Sequence, residues 1–295
     1  MTQCADLGRA ATTVAPDAMG VSMPDKRERA TSFGAIAEDY DRFRPGPTAE
    51  VVDWLLPANA STVVDLGAGT GALTRLLVDR VEQVFSIEPD DRMRAFLAEH
   101  IPAATALPGR GDAIPLANET ADAVLVSSAW HWMDVEPTLA EIARVLRLGG
   151  TLGVVWSGPD RRVPWLRRWL ALGRHPDNVA TGIVAALPDV ETTAGPGAAA
   201  GARERHRFSL PAGAPFTEPE VADIQWSRMM TIDDLVGLAS TYSTVITLQP
   251  AERDAALAAA KAWLEAEPEL GGGRSPIELP FRALCWRTTR ALADT

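Results

Sequence analysis

Two carboxylates and a row of glycines in the first third of the chain have the residue types and spacing of a nucleotide-type site. The run VVDLGAGTG at residues 63–71 predicts a buried strand, a tight glycine turn and the start of a helix. Alternate glycines let a ligand approach the backbone, and a helix start offers unpaired N–H groups. Asp65, two positions before the first glycine, would repel a pyrophosphate and attract a cation. The turn therefore predicts a site that favours a cationic ligand.

The second carboxylate, Glu88, ends the next predicted strand, residues 81–88, and lies 21 positions after Gly67. A carboxylate at this spacing, at the end of the second strand of a doubly wound sheet, reaches a ribose. Its two oxygens can accept hydrogen bonds from vicinal hydroxyls, each contributing about 1.5–3 kcal/mol. Asp65 and Glu88 together therefore predict a nucleoside site at one edge of the sheet.

The glycine turn has the form V-D-x-G-x-G-x-G and departs from the G-x-G-x-x-G turn of dinucleotide enzymes. In this form it resembles the first motif of the class I S-adenosylmethionine-dependent methyltransferases. Two further matches follow in the family's order, E-P-x-x-x-M from Glu88 and G-D-A at residues 111–113. The resemblance implies S-adenosylmethionine as the cofactor and S-adenosylhomocysteine as its product.

In that family the glycine turn packs against the methionine part of the cofactor, which carries a sulfonium and an ammonium. By resemblance, Met93 would pack on the adenine face and Asp112 would accept a hydrogen bond from the adenine amino group. The residues implied as cofactor contacts are Tyr40, Asp65, Gly67, Ala68, Gly69, Gly71, Glu88, Pro89, Met93, Asp112, Ala113 and Ser128.

A short amphipathic helix is predicted within residues 26–44, ended by the Pro-Gly-Pro run at 45–47. The segment resembles the F-x-x-x-A-x-x-Y-x-x-x-R-P lid of many small-molecule methyltransferases, which implies that Tyr40 lies near the methionine end of the cofactor. The second aromatic residue that often follows in the family is absent. The alternative is that Phe33 and Tyr40 only dock this helix on the core.

The run Ala129-Trp130-His131-Trp132-Met133-Asp134 follows the predicted fourth strand, whose carboxyl end faces the ligand crevice of an open α/β sheet. It looks like the methyltransferase type 11 subgroup that includes trans-aconitate methyltransferase-like proteins. Three roles for His131 stay open: a general base, a contact to substrate or cofactor, or a structural residue. Trp130 and Trp132 are expected to wall the substrate pocket.

A basic and aromatic segment follows the predicted fifth strand, with Trp165 and Trp169 among five arginines between residues 161 and 174. Because arginine pairs bidentately with carboxylates, this segment suggests an anionic or aromatic acceptor, and Trp165 is included in the predicted substrate pocket. The alternative is a solvated helix face with buried tryptophans.

These features predict an α/β fold: a Rossmann-like, seven-stranded, mostly parallel sheet with an antiparallel last strand and helices on both faces. The predicted divisions are a mobile leader (1–25), a lid helix (26–47), the cofactor-binding core (48–156), an insertion that covers the substrate (157–215) and a C-terminal completion of the sheet (216–295).

Composition narrows the possible functions. The net charge of −11 argues against nonspecific nucleic-acid binding, which needs clustered basic residues. Two cysteines far apart fit a reduced compartment and suggest no metal site. No run is apolar enough to span a bilayer and no signal peptide is evident, so a cytoplasmic protein is expected. The oligomeric state does not follow from the sequence.

The sequence thus predicts methyl transfer from S-adenosylmethionine to an oxygen, a carboxylate among the candidates, or to another nucleophile of a small molecule. Two rivals remain. One is an NAD(P)-dependent oxidoreductase, against which the missing G-x-G-x-x-G and the presence of Asp65 and Asp112 count. The other is a non-catalytic protein that binds S-adenosylmethionine.

Overall fold

Seven strands form one sheet, which has the order β3-β2-β1-β4-β5-β7-β6. The computed structural model describes residues 32–171, 208–271 and 276–292. The strands are β1 (Thr62–Leu66), β2 (Gln83–Ile87), β3 (Thr105–Leu107), β4 (Ala121–Ser127), β5 (Leu146–Pro159), β6 (Glu220–Met230) and β7 (Ile277–Thr289).

Six of these strands point the same way. β1 to β5 pair in parallel, β7 is antiparallel to β5, and β6 is antiparallel to β7. The prediction of a mostly parallel sheet with an antiparallel last strand is therefore confirmed. β1 pairs with β2 on one side and β4 on the other, so the chain reverses its winding direction beside β1. A crevice at such a switch point is where open α/β sheets bind ligands.

The helices of the described residues are α1 (Ala37–Phe43), α2 (Ala49–Leu55), α3 (Thr74–Leu77), α4 (Asp91–His100), α5 (Val135–Val145), α6 (Pro164–Ala171), α7 (Ile232–Ser240), α8 (Ser243–Ile246) and α9 (Pro250–Ala266). A 3₁₀ helix at Ser32–Ile36 precedes α1. None of the described helices combines the length and apolar character needed to cross a membrane.

Both faces of the central sheet are covered, as its apolar strands require. β1 is buried along its whole length. Val63 packs with α2 and α3 on one face, whereas Val64 packs with α5 on the other. A further apolar cluster joins α6, α7 and α9 to β6 and β7. The helices packed on the two faces of the sheet hold the strand ends in fixed positions. The side chains at those ends can therefore form a site of defined geometry.

Three elements differ from the sequence prediction. The sequence after the glycine turn predicts a crossover helix over 72–80, but only Thr74–Leu77 is helical, because Gly71 has φ 92° and Arg80 bonds back to Leu77 as in a tighter turn. The apolar run at 151–156 predicts the fifth strand, and β5 continues three residues past it, since it pairs with β7 as far as Pro159. The pattern at 208–230 predicts short strands, whereas the structure has one long strand there, β6. Residues 181–201, rich in Ala, Gly, Pro and Thr, predict a mobile insertion; they and the leader at 1–25 lie outside the described residues.

Candidate functional site

A cavity of about 420 Å³ lies where β1, β2 and β4 end. Its walls come from the glycine turn, the start of α4, the loop after β3, the segment after β4, and α1. The lining residues are Tyr40, Leu66, Gly67, Gly69, Glu88, Pro89, Met93, Gly109, Arg110, Gly111, Asp112, Ser127, Ser128, Ala129, Trp132, Met133, Asp134 and Thr138. Of the residues that the sequence marked, Glu88, Asp112 and Ser128, which follow three different strands, thus meet in one space.

All three glycines of the turn have positive φ, between 57° and 92°, but their surroundings differ. A Cβ on Gly69 would meet only Met93 Sδ, at 3.8 Å, so the turn is open toward the cavity there. A Cβ on Gly71 would lie 2.4 Å from Ile101 Cδ1. Gly71 therefore permits close packing against α4 and is not among the residues that line the cavity.

Asp65 is buried beneath this turn, with 1% of its surface exposed. Its Oδ2 accepts a hydrogen bond from Thr74 Oγ1 at 2.6 Å, and that hydroxyl lies 2.9 Å from Ser86 Oγ. Its Oδ1 is buried without a hydrogen bond from any described residue. Burial raises the pKa of the Asp65 carboxyl to about 7, against the opposing effect of the Thr74 hydrogen bonds. A cationic ligand group would satisfy this oxygen.

Glu88 ties the glycine turn to the end of β2. Its Oε2 accepts from the backbone N–H of Gly69 at 2.8 Å, and its Oε1 accepts from that of Asp90 at 2.9 Å. Burial raises the pKa of the Glu88 carboxyl, while these two bonds lower it. Each carboxylate oxygen can accept a second bond. The side chain can therefore hold the turn and a ligand's hydroxyl groups at once.

The start of α4 brings Met93 to the cavity. Asp90 caps the helix, its Oδ1 accepting from the N–H groups of Arg92 and Met93 at 2.9 and 3.1 Å. Asp is a preferred cap because its side chain replaces the missing intrahelical acceptors. The cap fixes the first turn, and Met93, 5% exposed, lines the apolar side of the cavity.

The loop after β3 contains an ion pair that the sequence did not predict. Arg110 Nε donates to Asp112 Oδ1 at 2.9 Å, and the two residues also pair through Arg110 Nη2 and Asp112 Oδ2. This pairing raises the pKa of the Arg110 guanidinium. Both residues line the cavity, whereas Ala113, in a backbone bridge with Arg110, does not appear in its lining.

Ser128 has a backbone conformation that non-glycine residues rarely adopt, with φ 54°. Its N–H donates to the carbonyl of Val155 at 2.8 Å, which holds the end of β4 against β5. Such strain costs about 1–3 kcal/mol and is concentrated at functional sites. The conformation turns the chain from β4 into the wall of the cavity.

Of the aromatic residues predicted to form the substrate pocket, Trp132 lines the cavity. Trp130 is 4% exposed and packs edge-on against Phe208, their ring centroids 5.2 Å apart. Trp165 is 7% exposed and belongs to the apolar cluster around α6. The His131 ring lies 4.5 Å from that of Trp132. His131, Trp130 and Trp165 are not among the residues that line this cavity or the smaller one described next.

A second cavity, of about 70 Å³, adjoins the first and shares Tyr40, Gly67, Gly69, Ser127 and Ser128 with it. Ala68 lines this cavity and not the larger one. Its other residues are Arg44, Pro45, Gly46, Asp65, Thr70, Ala72, Leu73, Ser157, Gly158, Pro159, Leu238 and Tyr242. Asp65, whose Oδ1 lacks a hydrogen bond from the described residues, thus lines this smaller cavity between α1 and the end of β5.

Among the lining residues that were not predicted as site residues are Thr138 and Tyr242. Thr138 on α5 is fully buried, and its Oγ1 has no hydrogen bond among the described residues. Tyr242, between α7 and α8, is 2% exposed with its hydroxyl likewise unpaired. Helix packing brings each of them to its cavity. In the described part of the chain, no three His, Cys, Asp or Glu residues gather as metal ligands.

Comparison with known proteins points to one family. A family model described as a methyltransferase domain matches residues 64–154. An uncharacterized methyltransferase of Mycobacterium tuberculosis is 36% identical over 267 residues, 90% of this chain and 98% of the relative. A malonyl-[acyl-carrier protein] O-methyltransferase of Methylococcus capsulatus is 34% identical over 161 residues, 50% of this chain and 58% of the relative.

The fold has counterparts among solved structures. One is a structure from Anaeromyxobacter dehalogenans whose assignment as a type II methyltransferase is itself provisional. It superposes with a TM-score of 0.59 at 22% identity, covering 84% of this chain and 99% of the other. At 84% of this chain, the likeness in fold extends beyond the part that the family model matches.

Proposed function

Because the chain belongs to the class I S-adenosylmethionine-dependent methyltransferases, we propose that it binds S-adenosylmethionine in this cleft and methylates an oxygen of a small molecule. The observation that carries the proposal is the buried Asp65 carboxyl, whose Oδ1 has no partner among the described residues and lies beneath the glycine turn. Family membership favours methyl transfer over hydride transfer by a dinucleotide.

The residues present fit the cofactor. The unpaired oxygen of Asp65 suits the cationic amino-acid end, and the open face of Gly69 leaves room for a ligand beside the backbone. Glu88 has remaining acceptor sites for ribose hydroxyls, and Met93 provides an apolar contact for the adenine. Thr138 Oγ1 and the Asp112 side chain are polar groups that the adenine can contact.

When bound, the cofactor supplies a methyl group on a positively charged sulfur. The task of the chain is then to hold the acceptor in line with that group and exclude water, since orientation supplies most of the acceleration in such a transfer. Tyr40 on α1 lines both cavities, as suits a residue of a cover. The O-methyltransferase relative supports an oxygen as the acceptor atom.

His131 stays a hypothesis for proton transfer. A carboxylate acceptor needs no base, whereas a hydroxyl acceptor needs one. A large loss of turnover in His131→Ala with cofactor affinity retained would support a base or an acceptor-positioning role. Unchanged turnover with the true acceptor would remove the residue from the mechanism.

The test is a calorimetric titration with S-adenosylhomocysteine, run beside NAD. We expect saturable S-adenosylhomocysteine binding that Glu88→Ala weakens by about tenfold or more, because charge-assisted ribose bonds are lost. Glu99→Ala, which removes an exposed carboxylate on α4, is the matched control and should bind normally. Binding of NAD alone would overturn the proposal. Tight S-adenosylhomocysteine binding without transfer across a broad acceptor panel would favour the non-catalytic rival.

A further inference from the structure

One edge of the sheet is long and has no partner among the described residues. β6 is the last strand in the sheet order, and all eleven of its residues pair with β7 on its inner side. No backbone hydrogen bond joins its outer edge to another described residue. The opposite edge of the sheet, β3, has only three residues. Because open edge strands pair readily with other strands, proteins usually shorten, bend or charge them.

β6 lacks most of the features that keep such an edge unpaired. It contains no proline or lysine, and its register with β7 runs from one end to the other without a bulge. Its two carboxylates are bound to arginines of β7. Asp223 accepts from Arg282 Nε and Nη2, each at 2.7 Å, and Glu220 accepts from Arg287 Nη2 at 2.6 Å. These ion pairs reduce the charge repulsion that would oppose a second strand.

The side chains of β6 alternate between a covered face and an exposed face. Ala222, Ile224 and Trp226 pack against the apolar cluster beneath α2. On the other face, Val221 and Met229 are 62% and 58% exposed. A single exposed apolar side chain needs no explanation. These two, however, lie on the same face of the unpaired edge, at equal distances from the middle of the strand.

This symmetry suits a second copy of the same strand. When two β6 strands run antiparallel and overlap in full, Gln225 faces its own copy, and Val221 faces Met229 of the partner subunit. We propose that β6 is the contact between two copies of this chain, related by a two-fold axis at Gln225. Such an interface uses the same surface on both subunits, as most homodimers do. It would form about ten backbone hydrogen bonds, two at every second residue pair, and would cover all four exposed apolar side chains.

The other opposed residues also fit this register. Asp223 faces Ser227 of the partner subunit, whose hydroxyl can donate to the carboxylate, and the Gln225 amide can both donate to and accept from its copy. Arg228 lies diagonal to Glu220 of the partner subunit, within reach of long side chains. No two like charges face each other directly.

A different register would lose this complementarity. A shift by two residues in either direction separates Val221 from Met229 of the partner subunit and leaves the strand ends unpaired. The register that pairs the most backbone is thus the one that buries the exposed apolar side chains. A strand of unrelated sequence need not match this pattern, so the self-complementarity favours a second copy over another protein.

The test is sedimentation velocity of the full chain from about 1 to about 100 μM, where we expect a reversible dimer. Val221→Lys/Met229→Lys opposes like charges at both contacts and should weaken association by about tenfold or more. Val221→Lys/Met229→Glu should restore most of the association, because opposite charges then face each other. The two positions lie about 27 Å apart within one chain, so the recovery can arise only between chains. Leu148→Lys, at a half-exposed apolar residue outside β6, is the matched control and should associate normally.

Cross-linking tests the register without charged substitutions, and it stays decisive where the double-lysine variant fails to fold by circular dichroism. In a Cys4→Ser background, Gln225→Cys should give a disulfide-linked dimer on mild oxidation, because this position faces its own copy. Ser227→Cys should not, since its copy lies about 13 Å along the partner strand, too far for a disulfide.

Three results would overturn the proposal. The first is a wild-type chain that stays monomeric over the whole concentration range, as it would where another segment of the same chain covers β6. The second is a dimer that the two lysines leave intact, which would place the contact on another surface. The third is cross-linking of Ser227→Cys but not of Gln225→Cys, which would exclude this register.

Discussion

At the scale of single residues, the charge of the cleft depends on Asp65. The folded chain buries this carboxyl completely and gives it one donor side chain, Thr74. Its pKa of about 7, compared with the usual 3.8, means that the free protein holds it neutral over much of the acidic range. The group is therefore ready to ionise when a cation arrives, and it costs stability when it ionises alone.

Asp65→Asn should stabilise the free protein at high pH. Because the folded pKa lies above the unfolded one, the contribution of Asp65 is fully present below pH 3.8 and is lost as the pH rises to about 7. The amide cannot ionise, so its advantage in free energy of unfolding should grow by about 3 kcal/mol between pH 4.5 and pH 8. Denaturant melts of both proteins at the two pH values measure this. A constant difference would contradict the raised pKa.

The same ionisation predicts how ligand affinity depends on pH. S-adenosylhomocysteine carries an ammonium, which favours the charged form of Asp65. Its affinity for the wild type should rise with pH by up to about tenfold per unit and level off near pH 7. Asp65→Asn should bind more weakly at pH 8 and lose this slope. Calorimetry from pH 5.5 to 8 measures the affinity of both proteins for S-adenosylhomocysteine. A wild-type affinity that does not change with pH would mean that the ammonium lies elsewhere.

At the scale of elements, α1 is held over the cleft by its contact with α7. A Cβ on Gly237 in α7 would lie 2.4 Å from Phe43 Cε1, with two more ring atoms within 2.6 Å. Helix propensity alone would make Gly237→Ala stabilising by about 1 kcal/mol. Overpacking costs about 1–3 kcal/mol, so we expect no gain or a net loss, and weaker S-adenosylhomocysteine binding because α1 also carries Tyr40.

The matched background for this change is Phe43→Leu, whose smaller side chain leaves room for the new methyl group. In that background Gly237→Ala should recover the stabilisation that helix propensity provides. Chemical denaturation of the four proteins gives the coupling energy of the pair. A coupling near zero would show that the two helices adjust without strain, and that their contact does not fix α1.

The elements that the sequence predicted well are those decided locally. The strand and the glycine turn around Asp65 follow from an apolar run and from glycines, and Glu88 follows the next strand because that strand is also a local apolar run. The length of β5 depends on pairing with β7, more than a hundred residues later. The burial of Tyr242 depends on α1 and on Arg44, which is 197 residues from its partner Thr241. No local pattern contains such information.

At the scale of the whole molecule, the last strand closes the structure that holds the site. β7 pairs with β5 from Thr151 to Pro159 and with β6 along the whole of that strand. It therefore supports both the end of β5, which walls the smaller cavity, and the apolar cluster beneath α7. Unfolding of β7 should thus dismantle the cleft, and binding in the cleft should stabilise β7.

Cys285, near the middle of β7, provides a direct test. It is fully buried, and burial raises the pKa of its thiol to about 12, so it should react with thiol reagents only after the strand opens. With Cys4→Ser removing the other cysteine, we expect slow labelling at pH 8. S-adenosylhomocysteine at a hundred times its Kd should slow it about 100-fold, if opening and loss of the ligand are one event. Labelling of guanidinium-unfolded chain gives the reference rate. A native rate that the ligand does not change would mean that β7 opens while the cleft stays intact, and that the last strand is not needed to hold the site.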